Sequence, residues 1–198
     1  MNTMATPASP LKPSINRWLA AGSMASLLSM LVLAWHGRRR HGSSTALINS
    51  PSHWVHGDRA LRANAFSLRF TLLGALIHHL SSMFWAVLYE GVLSAWRKPQ
   101  TPDSAPPAAQ TPSAAGMVAT ASALTAVAWL VDTRLVPARL TPGFERRSSS
   151  TGMLMIYGAF AVGLAAGALM IQRKSRPDTP ANAPAPRLYR VASGTESP

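Results

Sequence analysis

The chain has 198 residues, 47% of them hydrophobic, a formal charge of +12 and no cysteine. The missing thiol removes disulfides, thiolate metal sites and cysteine nucleophiles, and the length allows one domain or one small bundle with tails. Basic residues number 19, only three of them Lys; they flank apolar blocks rather than forming one continuous basic face, which argues for lipid phosphate and against nucleic acid as the anionic partner.

The apolar residues collect in four blocks that are hydrophobic on every face, a pattern that suits lipid as the solvent. Residues 1–14 hold Pro7, Pro10 and Pro13 and read as a disordered tail. Residues 15–35 form the first expected transmembrane helix. It ends Leu-Ala-Trp-His with no small-x-small cleavage site, and Arg38, Arg39 and Arg40 follow at once, so a retained helix is expected rather than a signal peptide.

Residues 36–69 are a basic loop. Within it Ser50 and Pro51 offer a helix start, and Trp54, Val55 and Leu61 with Arg59 and Arg62 suit a short interfacial helix, aromatic at headgroup depth and cationic toward phosphate. Residues 70–96 form the second span. Its part Phe70–Tyr89 carries no charge over 20 residues, about 30 Å of helix, the thickness of a hydrocarbon core. Residues 97–113 make a proline-rich loop.

Residues 114–132 are the third span, rich in Ala and stopped by Asp132, Arg134 and Pro137. Residues 133–152 form an interfacial connection with turn signals at Pro137 and at Thr141-Pro142-Gly143. Residues 153–172 are the fourth span, with cap hydroxyls at Ser148, Ser149, Ser150 and Thr151 and cations at Arg173 and Lys174, where the helix dipole favours them. Residues 173–198 read as a second disordered tail. The expected fold is therefore all-α, a bundle of four transmembrane helices with disordered N- and C-terminal tails.

Helices in lipid associate through small residues that let backbones approach. Ala159, Gly163 and Gly167 share one face of the fourth span, widened by Gly158 and Ala166. Gly22, Ser26 and Ser29 share a face of the first, and Ala115, Ala119 and Ala123 of the third. These stripes are the expected contact seams, within the chain or between copies of it. Four crossings also place Arg69 and Asp132 at one interface, where they can pair if their helices are neighbours, and Glu90 at the other, near Arg17, Arg97 and Arg173.

The residues with chemical potential are histidines. His78 and His79 fall near mid-depth of the second span, where a polar side chain needs a partner or a role. A neutral imidazole there can hydrogen-bond within the bundle, ligate a haem iron or metal, or relay protons. Adjacent helical residues point about 100° apart, so both cannot face one metal. His53 and His56, three apart, have a spacing compatible with two metal ligands, though only Asp58 adds a nearby carboxylate. Paired carboxylates, a Ser-His-Asp set and a glycine-rich phosphate loop are missing, so no catalytic residue and no cofactor is indicated.

The stretches NSPSHWVHGD, IHHLSSMFWAVLYE and VDTRLVPARLTPGFERR together resemble a group of small, uncharacterised proteobacterial inner-membrane proteins, over roughly residues 20–170. The resemblance implies a four-span protein of a bacterial inner membrane and supplies no functional residues. The expected function is that of a non-enzymatic structural or accessory membrane subunit, partnered by the lipid bilayer and by copies of itself or a larger membrane complex, not by nucleic acid. The rival expectation is a small transporter, or a haem or metal redox protein that uses His78 or His79 with Glu90.

Overall fold

The computed structural model describes residues 11–96 and 112–175. The expected tails at 1–10 and 176–198, and residues 97–111 of the proline-rich loop, lie outside the described residues. Among those described, all regular structure is helical.

Helix α1, Leu11–His41, is longer at both ends than the apolar block alone. Residues 11–14, assigned to the tail on composition, form its first turn. Its last turn holds Arg38, Arg39, Arg40 and His41, cations at the end that the helix dipole favours. It stops where Gly42, at φ 70°, takes the left-handed conformation open to glycine. A short turn, Ser50–Ser52, then leads into α2, His53–His56, and α3, Asp58–Arg62.

The second span opens with a wide turn, Leu68–Leu72, started by the Ser67 hydroxyl, which accepts from the Phe70 amide at 3.2 Å, and continues as α4, Leu73–Trp96. Ser113 caps α5, Ala114–Leu130, by accepting from the Gly116 amide at 3.0 Å, and a second wide turn, Val131–Leu135, extends it. Ser149 caps α6, Ser150–Lys174, in the same way through the Gly152 amide. Four helical segments are long and apolar enough to cross a membrane: Ile15–His41, Leu68–Trp96, Ala114–Leu135 and Ser150–Lys174. The shortest has 22 residues, about 33 Å at 1.5 Å per residue, so each can span a hydrocarbon core.

Helix α1 packs most extensively on α6, and next on α4; α5 packs on α6, and α4 touches α5 only sparingly. The α1–α6 pair is the spine. A Cβ on Gly163 would fall 2.6 Å from the Ala25 nitrogen and the Met24 carbonyl, and one on Gly167 2.5 Å from the Ala20 carbonyl and Ala21 Cα. The backbones can approach this closely only because those side chains are absent. On the α4 side of α1, a Cβ on Gly22 would meet Met83 Sδ at 2.7 Å, and Ser26 and Ser29 are both buried. Ala159 is half-buried one turn before Gly163.

One expected stripe, and one residue expected to widen another, make no seam among the described residues. Gly158 is exposed, with open space where a Cβ would go, so it does not widen the α6 contact. Ala115, Ala119 and Ala123 face outward, and α5 instead buries Met117, Ala121, Thr125 and Ala128, a parallel stripe rotated about its axis. Large apolar side chains at 72, 76, 80, 84, 88 and 92 line the outer face of α4, which is the face that lipid would cover.

The loops at one end knit into a cap. Asn49, fully buried, donates to the carbonyls of Ala63 (2.9 Å) and Ala65 (3.1 Å) and accepts from the Thr71 hydroxyl at 2.7 Å. Arg147 donates to the carbonyls of Ala46 (2.5 Å) and Ala63 (3.4 Å) and to the Asn64 side chain, while its own carbonyl accepts from the His41 ring at 3.0 Å. Partial burial pushes the Arg147 guanidinium below its ordinary range. The Trp54 indole N–H donates to the Thr141 carbonyl at 2.8 Å, tying loop 42–67 to loop 136–149. Gly143, at φ 82°, permits this closure: a Cβ there would meet His53 Nδ1 at 2.7 Å and the Ser50 carbonyl at 2.8 Å.

Candidate functional site: a cleft between the second and third spans

Far from the cap, α4 and α5 are joined where the buried Tyr89 hydroxyl donates to the Met117 carbonyl at 3.0 Å. Toward the cap they part, and a cleft of about 430 Å³ opens between them. Ser29, Ile156 and Phe160, from α1 and α6, contribute to its lining beneath, and Trp54, Pro142 and Phe144 of the cap close its end. Exposed side chains of Leu80, Phe84 and Leu140 belong to the same lining, so the cleft opens on the lipid-facing side of α4. Its lining is mostly apolar, and its polar side chains are chiefly two hydrogen-bonded pairs and the hydroxyls of Ser81 and Ser82.

The first pair is His78 with Ser29. His78 Nε2 lies 2.8 Å from Ser29 Oγ, which is also 2.7 Å from the Ala25 carbonyl. The hydroxyl has one proton and a carbonyl can only accept. Both short contacts are hydrogen bonds only if Ser29 donates to Ala25 and His78 donates from Nε2, which leaves Nδ1 of a neutral ring as a bare acceptor. The chain places His78 there because small residues on α1 (Gly22, Ser26, Ser29) let α4 come close. The Ser82 hydroxyl donates to the His78 carbonyl at 2.8 Å, so it remains within its own helix turn.

The second pair is Asp132 with Tyr157. The Tyr157 hydroxyl donates to Asp132 Oδ2 at 2.8 Å, from α6 to the wide turn that ends the third span. That turn brings Asp132 round to the cleft. Tyr157 also borders a second groove, of about 730 Å³, between α5 and α6, which Glu145 and Ser148 help to line.

The other candidate residues lie apart from this cleft. Arg69 does not pair with Asp132. Its guanidinium reaches His56 Nδ1 at 3.4 Å and lies over the Phe70 ring, while the acid is held by Tyr157. His53 and His56 do not face one ligand position. His53 is buried, with Nδ1 donating to the Ser50 carbonyl at 2.9 Å and Nε2 at 3.4 Å from the Ala138 carbonyl, whereas His56 sits at the surface edge-on to Phe70. Among the described residues no group of three or more His, Asp or Glu is placed to hold a metal ion. His79 is half-buried and makes no hydrogen bond among the described residues, and it does not line the cleft. Glu90 is buried at the far end of the bundle, next to Tyr89 and away from the cleft.

Comparison with protein-family models, with curated proteins and with solved structures finds no match. The site therefore has to be read from its own chemistry. Asp132, Tyr157 and Ser29 were not legible as cleft residues, since they come from three elements whose register the sequence does not give. The one signal was polarity at depth: Asp132 closes an apolar block, and Ser29 and His78 sit inside two others.

Proposed function

We propose that this chain is a non-enzymatic, multi-pass protein of a bacterial inner membrane, an accessory subunit that holds a lipophilic molecule in the cleft between α4 and α5. The observation that carries this reading is the cleft itself. About 430 Å³ falls within the size range of small-molecule sites, the lining is mostly apolar with a few fixed polar groups, and the mouth opens where lipid would lie. The lipid bilayer is the first partner of such a protein. The outward Ala115, Ala119 and Ala123 stripe on α5 leaves room for a second copy or another membrane subunit.

The test is extraction. The full chain, purified in mild detergent, is extracted with organic solvent and the extract compared with that of the membrane it came from. The expected result is one lipophilic class enriched with the wild type and lost from Val131→Phe, which fills the cleft from a half-buried lining position. An extract that mirrors bulk lipid in both proteins would sink the reading.

The rival is a small transporter or a His-dependent haem or metal redox protein. That His78, near mid-span, and Asp132, at the end of its span, line one cleft favours the transporter form, because polar groups spaced along a lipid-accessible path are what a carrier needs. Its redox form asks more of His78, whose Nε2 is already engaged by Ser29. An absorption spectrum and metal analysis of the purified chain separate the two.

A further inference from the structure

The cleft has a chemical bias that its surroundings lack. The chain has 19 Lys and Arg against seven Asp and Glu. Arginines crowd the cap just beyond the cleft, yet among the described residues no Lys or Arg lines it. The lining acid is Asp132, and no arginine is held against it: Arg69 is engaged at His56 and Phe70, Arg146 at the Ala138 carbonyl and Glu145, and Arg147 at loop 42–67.

Hydrogen-bond polarity points the same way. Ser29 spends its proton on Ala25, His78 spends its Nε2 proton on Ser29, and Tyr157 spends its own on Asp132. What remains is the second carboxylate oxygen of Asp132 and His78 Nδ1 as acceptors, and as donors only the neutral Ser81 hydroxyl and Trp85 indole N–H, so the one charged group of the lining is an anion. Around these stand the rings of Trp54, Phe84, Trp85, Phe144, Tyr157 and Phe160. Their faces carry negative quadrupole density, which attracts a cation and most strongly where water is excluded.

Resting on the reading of the cleft as a ligand site, we propose that it selects a lipophilic cation, a molecule whose apolar body fills the aromatic lining and whose positive centre lies against Asp132. An anion of the same shape meets the Asp132 carboxylate and the ring faces, with only the neutral Ser81 hydroxyl and Trp85 indole N–H to donate to it. A neutral lipid gains burial alone and leaves the carboxylate without a counter-charge in an apolar wall.

Tetraphenylphosphonium and tetraphenylborate test this, since they have nearly the same shape and opposite charge. Binding of each is measured by equilibrium dialysis to the full chain in nanodiscs of zwitterionic lipid. Saturable, stoichiometric binding of the phosphonium is expected, with no competition from the borate. Asp132→Asn keeps an acceptor for Tyr157 and removes the charge, and should bind the phosphonium roughly tenfold or more weakly. If both ions bind alike and Val131→Phe removes both, cation selection is overturned while the cleft stands as a ligand site. Unchanged phosphonium affinity in a folded Asp132→Asn variant also overturns it. If neither ion binds a protein that still carries an extracted lipophile, the cation reading falls alone; if neither binds and no lipophile is retained, both fall. Should Asp132→Asn fail to fold, the comparison of the two ions on the wild type decides.

Discussion

Arg147 is the residue on which the cap turns. Its guanidinium fork spans the carbonyls of Ala46 and Ala63 and the Asn64 side chain, which lie on two arms of loop 42–67, while its backbone receives His41 from the end of α1. Planar, multidentate donation of this kind suits arginine and not lysine, whose ammonium is a point donor on a flexible stem. Arg147→Ala takes a charged donor from the Ala46 carbonyl and the Asn64 side chain, while Ala63 keeps Asn49, and at about 1.5–3 kcal/mol for a hydrogen bond to a charged group it should lower the unfolding midpoint in detergent clearly. Arg147→Lys should recover only part of that loss. Arg146, its neighbour, is exposed and gives one bond to the Ala138 carbonyl at 2.9 Å, so Arg146→Ala is the control and should change little. Equal midpoints for the Arg147 and Arg146 variants would show that the cap does not depend on the fork. Nothing in the run Glu-Arg-Arg-Ser marks one arginine as structural and the other as surface, because the difference lies in what a loop a hundred residues earlier does.

Between elements, the decisive fact is how closely α1 and α6 approach. Gly163→Leu forces a branched side chain into the Ala25 backbone, and overpacking of that kind costs about 1–3 kcal/mol even where neighbours can yield. Gly158→Leu, five residues earlier on an open face, should be tolerated. The pair is read by size-exclusion profile and thermal midpoint: loss for the first and near wild type for the second, with equal behaviour of the two counting against the spine. This contrast also marks how far the elements were legible. Four apolar blocks stand out in the sequence because lipid leaves no other place for them, and the four membrane-length helices follow. Spacing of small residues by four is a weaker sign. Gly163 and Gly167 meet a helix, while Ala115, Ala119 and Ala123, spaced in the same way, meet none among the described residues. An alanine is as comfortable against lipid as against a backbone, so periodicity alone does not tell the two apart. Helix ends were obscured for a related reason: α1 runs on through three arginines, and the turns at Leu68–Leu72 and Val131–Leu135 widen where hydropathy has already faded.

For the whole molecule, the cap lies at one end of the bundle, and the last residue of α4, Trp96, and the first of α5, Ala114, lie at the other. The cap side carries ten Arg within about 15 residues of the spans (38, 39, 40, 59, 62, 69, 134, 139, 146 and 147), and the opposite side seven basic residues (12, 17, 97, 98, 173, 174 and 176). Arg147, Arg146 and Arg69 are engaged in the structure, but Arg40, Arg59, Arg62, Arg134 and Arg139 are exposed with no acid bonded to them among the described residues. Exposed Val55, Phe66, Leu68 and Leu135 stand among them, which is the composition of a surface seated at anionic headgroups. The asymmetry favours a cap on the cytoplasmic side, with the α4–α5 connection and both termini outside. The absence of native cysteine makes the test direct. In intact cells that express the chain, Ala105→Cys should react with a membrane-impermeant maleimide, and Phe66→Cys, two thirds exposed in the cap, should react only after the membrane is opened. The reverse labelling would place the arginine-rich cap outside. The cleft, which lies in the cap half of the bundle, would then be loaded from the outer leaflet rather than the inner one.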